Sequence, residues 1–202
     1  ERLERFVGVV SHDLRNPLNV AENRLELALR EGDSEHLDEI AESHERMETL
    51  IDDLLALAHT GERVTDEGQV DLRAVMESCQ DAVGTGSTTL DVETDRTVVA
   101  DEGRLRRLVE NLYRNAVEHG GPDVTVTVGD CAGGFFVEDD GPGIPESERE
   151  DIFESGYTTA ESGTGFGLSI VEAVATAHGW SVSVTDGETG GARFEITGVE
   201  FA

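Results

Sequence analysis

The sequence contains no lysine: its 15 basic residues are all arginines, against 44 aspartates and glutamates in 202 residues. The formal net charge is -29 at pH 7. Because such a chain repels nucleic acid and anionic membranes, both are excluded as default partners. The lysine-free acidic surface resembles that of halophilic, including haloarchaeal, proteins. Repulsion between its many negative charges should be screened in molar salt, where the Debye length is about 3 Å. General acidity for solubility is the alternative explanation.

Cysteines and long apolar runs are also scarce. Cys79 and Cys131 have no neighbouring Cys or His cluster, which predicts two buried free thiols in a reducing cytosol. No apolar run in the sequence approaches the roughly 20 residues that span a bilayer, and we expect no signal peptide. We therefore expect a cytoplasmic region without a membrane segment. Because the chain begins at Glu1, we expect it to be a piece of a longer protein, which could be tethered to a membrane.

Residues 1–60 carry two helical apolar stripes separated by an EGDS turn at 31–34. The second stripe has alternating spacings of three and four, as in heptads; its members are Leu37, Ile40, His44, Met47, Ile51, Leu54 and Ala58. A less regular stripe, which includes Leu18 and Leu25, runs through the first half. Since pairing two hairpins buries both stripes, we predict a homodimer with a four-helix bundle.

The pattern changes after residue 60. The heptad is lost in GERVTDEGQV (61–70), which predicts a linker. Alternating runs at 125–128, 135–139, 181–185 and 192–196 predict strands. The stretches 104–119 and 168–178 predict helices, the second ending at Gly179. Residues 71–202 are therefore predicted to form an α/β sandwich.

A solvent-facing histidine lies near the start of the first helix, in SHDLRNPL (11–18). An exposed helical histidine alone usually has no function, but His12 is followed by Asp13 and shares its face with Asn16. A carboxylate can keep one ring nitrogen protonated, so that the other is a nucleophile near neutral pH. Pro17 removes a helical hydrogen bond and should loosen the helix beside the ring.

ENLYRNAVEHG (110–120) places Asn111 and Asn115 on one helix face. Asparagine is unfavourable in helix interiors, and carboxamide oxygens are suitable ligands for Mg²⁺ that also binds phosphates. The alternative is a pair of exposed polar residues without a ligand.

Two glycine-rich stretches follow the asparagine pair. VEDDGPGIP (137–145) is predicted as a strand that ends at Asp139, and SGTGFGL (162–168) opens a helix. A glycine-rich loop at a helix N-terminus presents N–H groups to phosphate. Each motif is weak alone, and neither is a Walker A loop or a dinucleotide GxGxxG. The order of the motifs is more informative than each motif alone: the asparagine pair, the two glycine-rich stretches and then a Gly-Gly strand, TGGARFEI (189–196).

In this order the motifs resemble the transmitter region of two-component sensor histidine kinases, over essentially the whole chain. SHDLRNPL resembles the H-box, NLYRNAVEHG the N-box, DDGPGIP the G1 box, IFESGYTT the F-box region and GTGFGL the G2 box. The resemblance implies a dimerisation and histidine-phosphotransfer helical hairpin (1–60), a linker (61–70) and a Bergerat-type ATP-binding domain (71–202).

The resemblance also implies roles for single residues. His12 would be the phosphoacceptor, Asp13 its activating partner, and Asn16 the residue associated with dephosphorylating the response regulator. Asn111 and Asn115 would bind Mg²⁺ and phosphate. Asp139 would bind the adenine amine, and His119 would line the adenine. The other nucleotide-binding positions would be Gly141, Gly143, Gly163, Gly165, Gly167 and Leu168.

The predicted function is ATP- and Mg²⁺-dependent autophosphorylation of His12, then transfer to an aspartate of a response regulator, with an upstream sensor domain outside this chain. The alternative is a kinase-weak dimeric module that acts mainly as a response-regulator phosphatase or an ATP-gated scaffold. A gyrase-like hydrolase is disfavoured, because Asn111 stands where those ATPases carry a water-activating Glu. There are departures from the family pattern: Glu118 replaces a common Lys, and residues 151–168 contain no Lys or Arg.

Overall fold

A computed structural model of the chain describes residues 14, 16–25, 27, 28, 36, 37, 39–41, 43, 44, 47, 50, 51, 54, 64, 66–83, 87–121, 123–158 and 165–202. The chain divides into two compact units, Glu1–Ala58 and His59–Ala202. Among the described residues, no helix is both long and apolar enough to cross a membrane.

All described residues of the first unit are helical. Ala21 and Leu50 are buried, and Arg24 forms an ion pair with Glu39. Four large apolar side chains of the two predicted stripes are about half exposed: Leu18 45%, Leu25 48%, Leu37 52% and Ile51 47%. One copy of this unit therefore leaves much of its apolar stripes uncovered.

The second unit alternates strands and helices. In chain order they are β1 (Gly68–Asp71), α1 (Leu72–Val83), β2 (Thr89–Val92), β3 (Thr97–Ala100), α2 (Glu102–Gly120), β4 (Thr125–Cys131), β5 (Gly134–Asp139), α3 (Gly167–His178), β6 (Ser181–Asp186) and β7 (Ala192–Thr197). Two short 3₁₀ helices, Glu146–Glu148 and Asp151–Phe153, lie between β5 and α3.

The main sheet has five strands in the order β2-β4-β5-β7-β6, with β2 and β4 parallel and the other neighbours antiparallel. β1 and β3 pair separately as an antiparallel ribbon. Alternate residues of the main sheet are buried, such as Val126, Val128, Phe194 and Ile196. Helix α2 packs against both α1 and α3, and it also contacts β5. The unit is thus an α/β sandwich, as predicted.

The predicted strand runs all lie within β4, β5, β6 and β7, and the two predicted helices lie within α2 and α3. Gly179 ends α3 in the left-handed conformation, as expected for a helix C-terminus. The predicted linker is wrong in its last three residues. Residues 68–70 belong to β1, because their backbone pairs with β3, a strand that lies about 30 residues later in the sequence.

Both cysteines are free, as predicted. Cys79 is buried, and burial raises the pKa of its thiol to about 12, so the thiolate is suppressed at neutral pH. Cys131 differs from the prediction, since it is only partly buried. It is the last residue of β4, beside the turn into β5, where the sheet no longer covers it fully.

Candidate functional site

Helix α2 holds the asparagine pair in a defined orientation. Its N-cap, Asp101, accepts a hydrogen bond from the Arg104 N–H at 2.9 Å, and its apolar positions are buried. The Asn111 side chain is buried, and its Nδ2 donates to the Arg107 carbonyl at 2.8 Å. This bond assigns the amide orientation of Asn111, so its Oδ1 is the atom left for other partners.

The oxygens of both asparagines approach the first residue of α3. A Cβ built on Gly167 would lie 3.1 Å from Asn111 Oδ1 and 3.5 Å from Asn115 Oδ1. The N–H groups of the first turn of α3 have no intrahelical acceptor and add partial positive charge there. We call Asn111, Asn115 and Gly167 the asparagine cluster.

The asparagine cluster contains an unsatisfied polar atom. Asn115 Nδ2 is buried and has no hydrogen-bond partner among the described residues. A buried amide without a partner costs about 1–3 kcal/mol, so a polar ligand that engaged this side chain would recover free energy. Neutral amide oxygens beside a helix N-terminus fit a Mg²⁺ ion that is shared with phosphate oxygens.

Asp139, the last residue of β5, forms the second part of the site. Its Oδ1 accepts from the Gly141 N–H at 2.9 Å and from the Ala192 N–H at 3.2 Å. Burial raises the pKa of this carboxyl above its usual value, while the two backbone hydrogen bonds act in the opposite direction. Among the described residues none donates to Oδ2, so Oδ2 can accept a hydrogen bond from a ligand.

Glycines bring three chain segments together around Asp139. A Cβ on Gly191, which has φ +68°, would lie 1.9 Å from the Asp139 carbonyl oxygen. A Cβ on Gly141 would lie 3.0 Å from the Cα of Gly120, the last residue of α2. Gly143, with φ +74°, packs against the Gly191 backbone. We call Asp139, Gly141, Gly143 and Gly191 the aspartate cluster.

A backbone hydrogen bond connects two glycines of the segment between β5 and α3. The Gly156 N–H donates to the Gly165 carbonyl at 2.9 Å, and a Cβ on Gly165 would lie 2.7 Å from the Gly156 carbonyl carbon. Arg149 fastens the same segment, because its Nε donates to the Ile144 carbonyl at 3.0 Å and its Nη2 to Asp186 Oδ1 at 2.5 Å.

Most predicted nucleotide-binding residues fall into these clusters. Asn111, Asn115 and Gly167 lie in one, with Leu168 next in α3, and Asp139, Gly141 and Gly143 lie in the other. His119 is exposed near the end of α2, and its charge lowers the pKa of the Asp139 carboxyl slightly against the effect of burial. Gly165 lies just before α3, where its carbonyl accepts a hydrogen bond from the Gly156 N–H.

Four other predicted site residues belong to neither cluster as described. His12, Asp13 and Gly163 lie outside the described residues. Asn16 is helical and exposed in the first unit.

Sequence reasoning missed the residues that act through their backbone. Gly191 was visible only as part of a Gly-Gly pair before a strand, and Gly120 only as the end of a helix motif. The Ala192 N–H has no side-chain signature at all. Arg149 gave no signal either, because its partner Asp186 is distant in sequence.

Residues 2–63 match the family described as "His Kinase A (phospho-acceptor) domain", and residues 100–199 match "Histidine kinase-, DNA gyrase B-, and HSP90-like ATPase". The chain is 32% identical over 215 residues to the "Sensor protein CutS" of Streptomyces coelicolor, which covers 96% of this chain and 52% of CutS. The chain thus spans about half the length of that curated relative.

Solved structures agree with these matches. The full-length ShkA structure in complex with AMPPNP is 28% identical, with a TM-score of 0.65, and covers 98% of this chain and 46% of ShkA. The ATP binding domain of PrrB from Mycobacterium tuberculosis is 26% identical, with a TM-score of 0.53, and covers 65% of this chain and 95% of that domain. With a phospho-acceptor region followed by an ATPase-type domain, this chain belongs to the sensor histidine kinase family of protein-histidine kinases and comprises its transmitter region.

Proposed function

We propose that the second unit binds MgATP and that its terminal phosphoryl group is transferred to His12. One observation carries the proposal: Asn111 Oδ1 and Asn115 Oδ1 approach one point at the N-terminus of α3, and the buried Asn115 Nδ2 has no hydrogen-bond partner among the residues that the structure describes. This is an arrangement suited to phosphate and Mg²⁺. The solved relatives described as ATP-binding or as an AMPPNP complex support the same ligand class.

Each cluster has a distinct task in this proposal. Asp139 Oδ2 accepts a hydrogen bond from the adenine amine, while the closely packed glycine backbones of the aspartate cluster hold this carboxylate in position. Asn111 and Asn115 hold the phosphates through Mg²⁺, which when bound neutralises charge on the phosphoryl oxygens. His119 lines the exposed side of the base.

The transfer step is a displacement at phosphorus. Neutral His12 attacks the terminal phosphorus, a nitrogen–phosphorus bond forms, and the bond to the bridging oxygen breaks so that ADP leaves. Asp13 keeps the other ring nitrogen protonated, which maintains the nucleophilic tautomer. Asn111 cannot act as a base toward water, so transfer is favoured over hydrolysis.

Further proposals concern the whole protein. The half-exposed Leu18, Leu25, Leu37 and Ile51 support homodimerisation through the predicted hairpin of residues 1–60. A response regulator would receive the phosphoryl group, and a sensor domain elsewhere in the protein would control the reaction. We propose a cytoplasmic site of action and a catalytic domain that follows the linker. The relatives named above give no support to a halophilic source, so salt adaptation rests on composition alone.

Autophosphorylation can be tested with γ-labelled ATP and Mg²⁺ in molar KCl. We expect acid-labile label on the wild-type chain and none on His12→Gln, since glutamine cannot form the phosphoramidate. A variant that retains the label would show that His12 is not the acceptor. Lack of label on a wild-type chain that binds ATP would overturn the kinase proposal.

Asn16 is exposed on the helix that follows His12, and we propose that it orients water during dephosphorylation of the regulator. Asn16→Ala should retain label on His12 while slowing phosphate loss from the regulator. Loss of labelling with unchanged dephosphorylation would contradict this role.

A further inference from the structure

The stretch that follows Arg149 and leads into α3 provides no cation for the phosphate end of the site. Residues 151–168 contain no Lys or Arg, and Glu118 stands three residues after Asn115. The chain as a whole carries a net charge of -29 and would repel a nucleoside triphosphate, which is also negatively charged. Mg²⁺ alone leaves negative charge on the phosphates, so a positive side chain nearby would be expected to contribute.

Most arginines of the second unit already have acidic partners. Arg73, Arg96 and Arg106 pair with Asp95, Asp130 and Glu102. Arg149 and Arg193 pair with Asp186 and Glu138. Arg104 is engaged as well.

Two arginines of α2 differ from these. Within the described part of the chain, the guanidinium groups of Arg107 and Arg114 have no ion pair or hydrogen bond. Acidic residues are within helical reach, because Glu110 lies three residues after Arg107 and Glu118 four after Arg114. Both arginines are partly buried, yet neither pairs with these carboxylates.

Helix geometry places both arginines beside the asparagine cluster. Arg107 precedes Asn111 by four residues and Arg114 follows it by three, which puts each Cβ about 5–6 Å from that of Asn111. Arg107 is also joined to Asn111 directly, through its carbonyl. Arg106, by contrast, faces another side of the helix, where its Nη1 contacts Ser78 Oγ at 2.5 Å.

The order of the two clusters along α2 indicates which part of a bound nucleotide would lie near Arg107 and Arg114. The aspartate cluster abuts Gly120 at the end of α2, and Asn115 and Asn111 lie five and nine residues earlier in the helix. With the base at Asp139, the phosphates would point toward the start of the helix. Arg107 lies one turn beyond Asn111, a rise of about 6 Å.

We propose that Arg107 and Arg114 supply the positive charge for the nucleotide phosphates, from α2 in place of the segment before α3. The inference rests on the proposed function, because it takes a Mg²⁺-bound nucleoside triphosphate as the ligand. Guanidinium groups bind phosphate oxygens through charge-assisted, often bidentate hydrogen bonds. The terminal phosphate, nearest Arg107, gains the most.

The test compares binding of MgATP, MgADP and adenosine to the whole chain by calorimetry across a KCl series. Arg107→Gln and Arg114→Gln should each weaken MgATP binding about tenfold at low salt, the effect of one lost charge-assisted hydrogen bond. Adenosine binding should not change, because the aspartate cluster is intact. The double variant should also show a flatter salt dependence, since fewer charges are screened.

Arg106→Gln is the matched control, because it removes the same charge from the same helix on a different side. It should retain wild-type affinity for all three ligands, and Arg107→Lys should recover part of the affinity that Arg107→Gln loses. Equal MgATP affinity in wild type and the double variant would overturn the inference but leave the proposed function intact. That result, with slower transfer to the regulator, would assign the arginines to protein docking. A wild-type chain that binds neither adenosine nor MgATP would overturn the proposed function itself.

Discussion

The two clusters of the site are built in opposite ways. In the aspartate cluster, glycine backbones meet at contact distance and Asp139 Oδ1 is already satisfied by two N–H groups. In the asparagine cluster, two side-chain oxygens approach Gly167, and Asn115 Nδ2 has no hydrogen-bond partner in the described part of the chain. Folding therefore satisfies the polar groups of the first cluster, whereas the second retains a buried N–H that the proposed ligand would engage. Changes in the first should reduce stability, and changes in the second should reduce affinity.

The largest expected effect comes from Gly191→Ala. The new Cβ would lie 1.9 Å from the Asp139 carbonyl oxygen, at a residue with φ +68°. Left-handed strain and the displacement of packed backbone should together lower the free energy of unfolding by about 2–5 kcal/mol. Thermal unfolding monitored by circular dichroism would measure it.

Gly179→Ala is the matched control for this change. Gly179 also has a left-handed backbone, with φ +77°, but a Cβ there meets no atom within 4 Å. It should lose only the conformational part, about 1–2 kcal/mol. Equal losses in the two variants would show that close packing around Asp139 does not contribute.

Asp139→Asn separates affinity from stability within the aspartate cluster. An asparagine Oδ1 can keep the bonds from Gly141 and Ala192, but its Nδ2 would face the adenine amine as a second donor. MgATP binding should weaken about tenfold or more, which corresponds to about 1.5–3 kcal/mol. The unfolding temperature at pH 7 should not fall, because the cost of burying a charge is removed. Unchanged MgATP affinity in calorimetry would mean that adenine is not bound here.

The features of the site that the sequence could predict depend on side chains, and those that it could not predict depend on backbone contacts. Side-chain signals such as the Asn111–Asn115 spacing and Asp139 at a strand end identified both clusters, and apolar periodicity identified α2, α3 and four strands. Backbone contacts between distant segments were not predictable, because Gly191 and the Ala192 N–H reach Asp139 only through the register of β5 with β7. The short β1–β3 ribbon was missed for the same reason.

Gly167→Ala tests whether the asparagine cluster acts mainly on affinity. The added Cβ would press on Asn111 Oδ1 at 3.1 Å and displace the amide. MgATP binding should weaken by about 0.5–1.5 kcal/mol, a few-fold, as expected for one distorted hydrogen bond. Since alanine favours helix by up to about 1 kcal/mol over glycine, the unfolding free energy should be unchanged or slightly higher.

Gly103→Ala is the control for Gly167→Ala, because Gly103 is also helical and near a helix start, with only an ordinary 3.4 Å contact to Asp101. It should leave MgATP affinity at the wild-type value. Loss of stability in Gly167→Ala without loss of affinity would contradict the division between the clusters.

The smallest effect is a pH dependence that sharpens the same comparison at Asp139. Burial raises the pKa of its carboxyl, so protonation begins at a higher pH than for an ordinary aspartate. The protonated form is a weaker acceptor for the adenine amine, and MgATP affinity should therefore fall as the pH drops through this raised value.

For stability the sign is opposite: the favourable contribution of the protonated carboxyl is full below the unfolded pKa, about 3.9, and is lost as the pH rises through the folded pKa. In Asp139→Asn, MgATP affinity should therefore no longer depend on the protonation of this side chain. The variant should be more stable than the wild type only above the pKa of Asp139 in the folded protein. Calorimetric titrations and thermal melts of both proteins across the acidic range would measure this, and parallel pH profiles would contradict it.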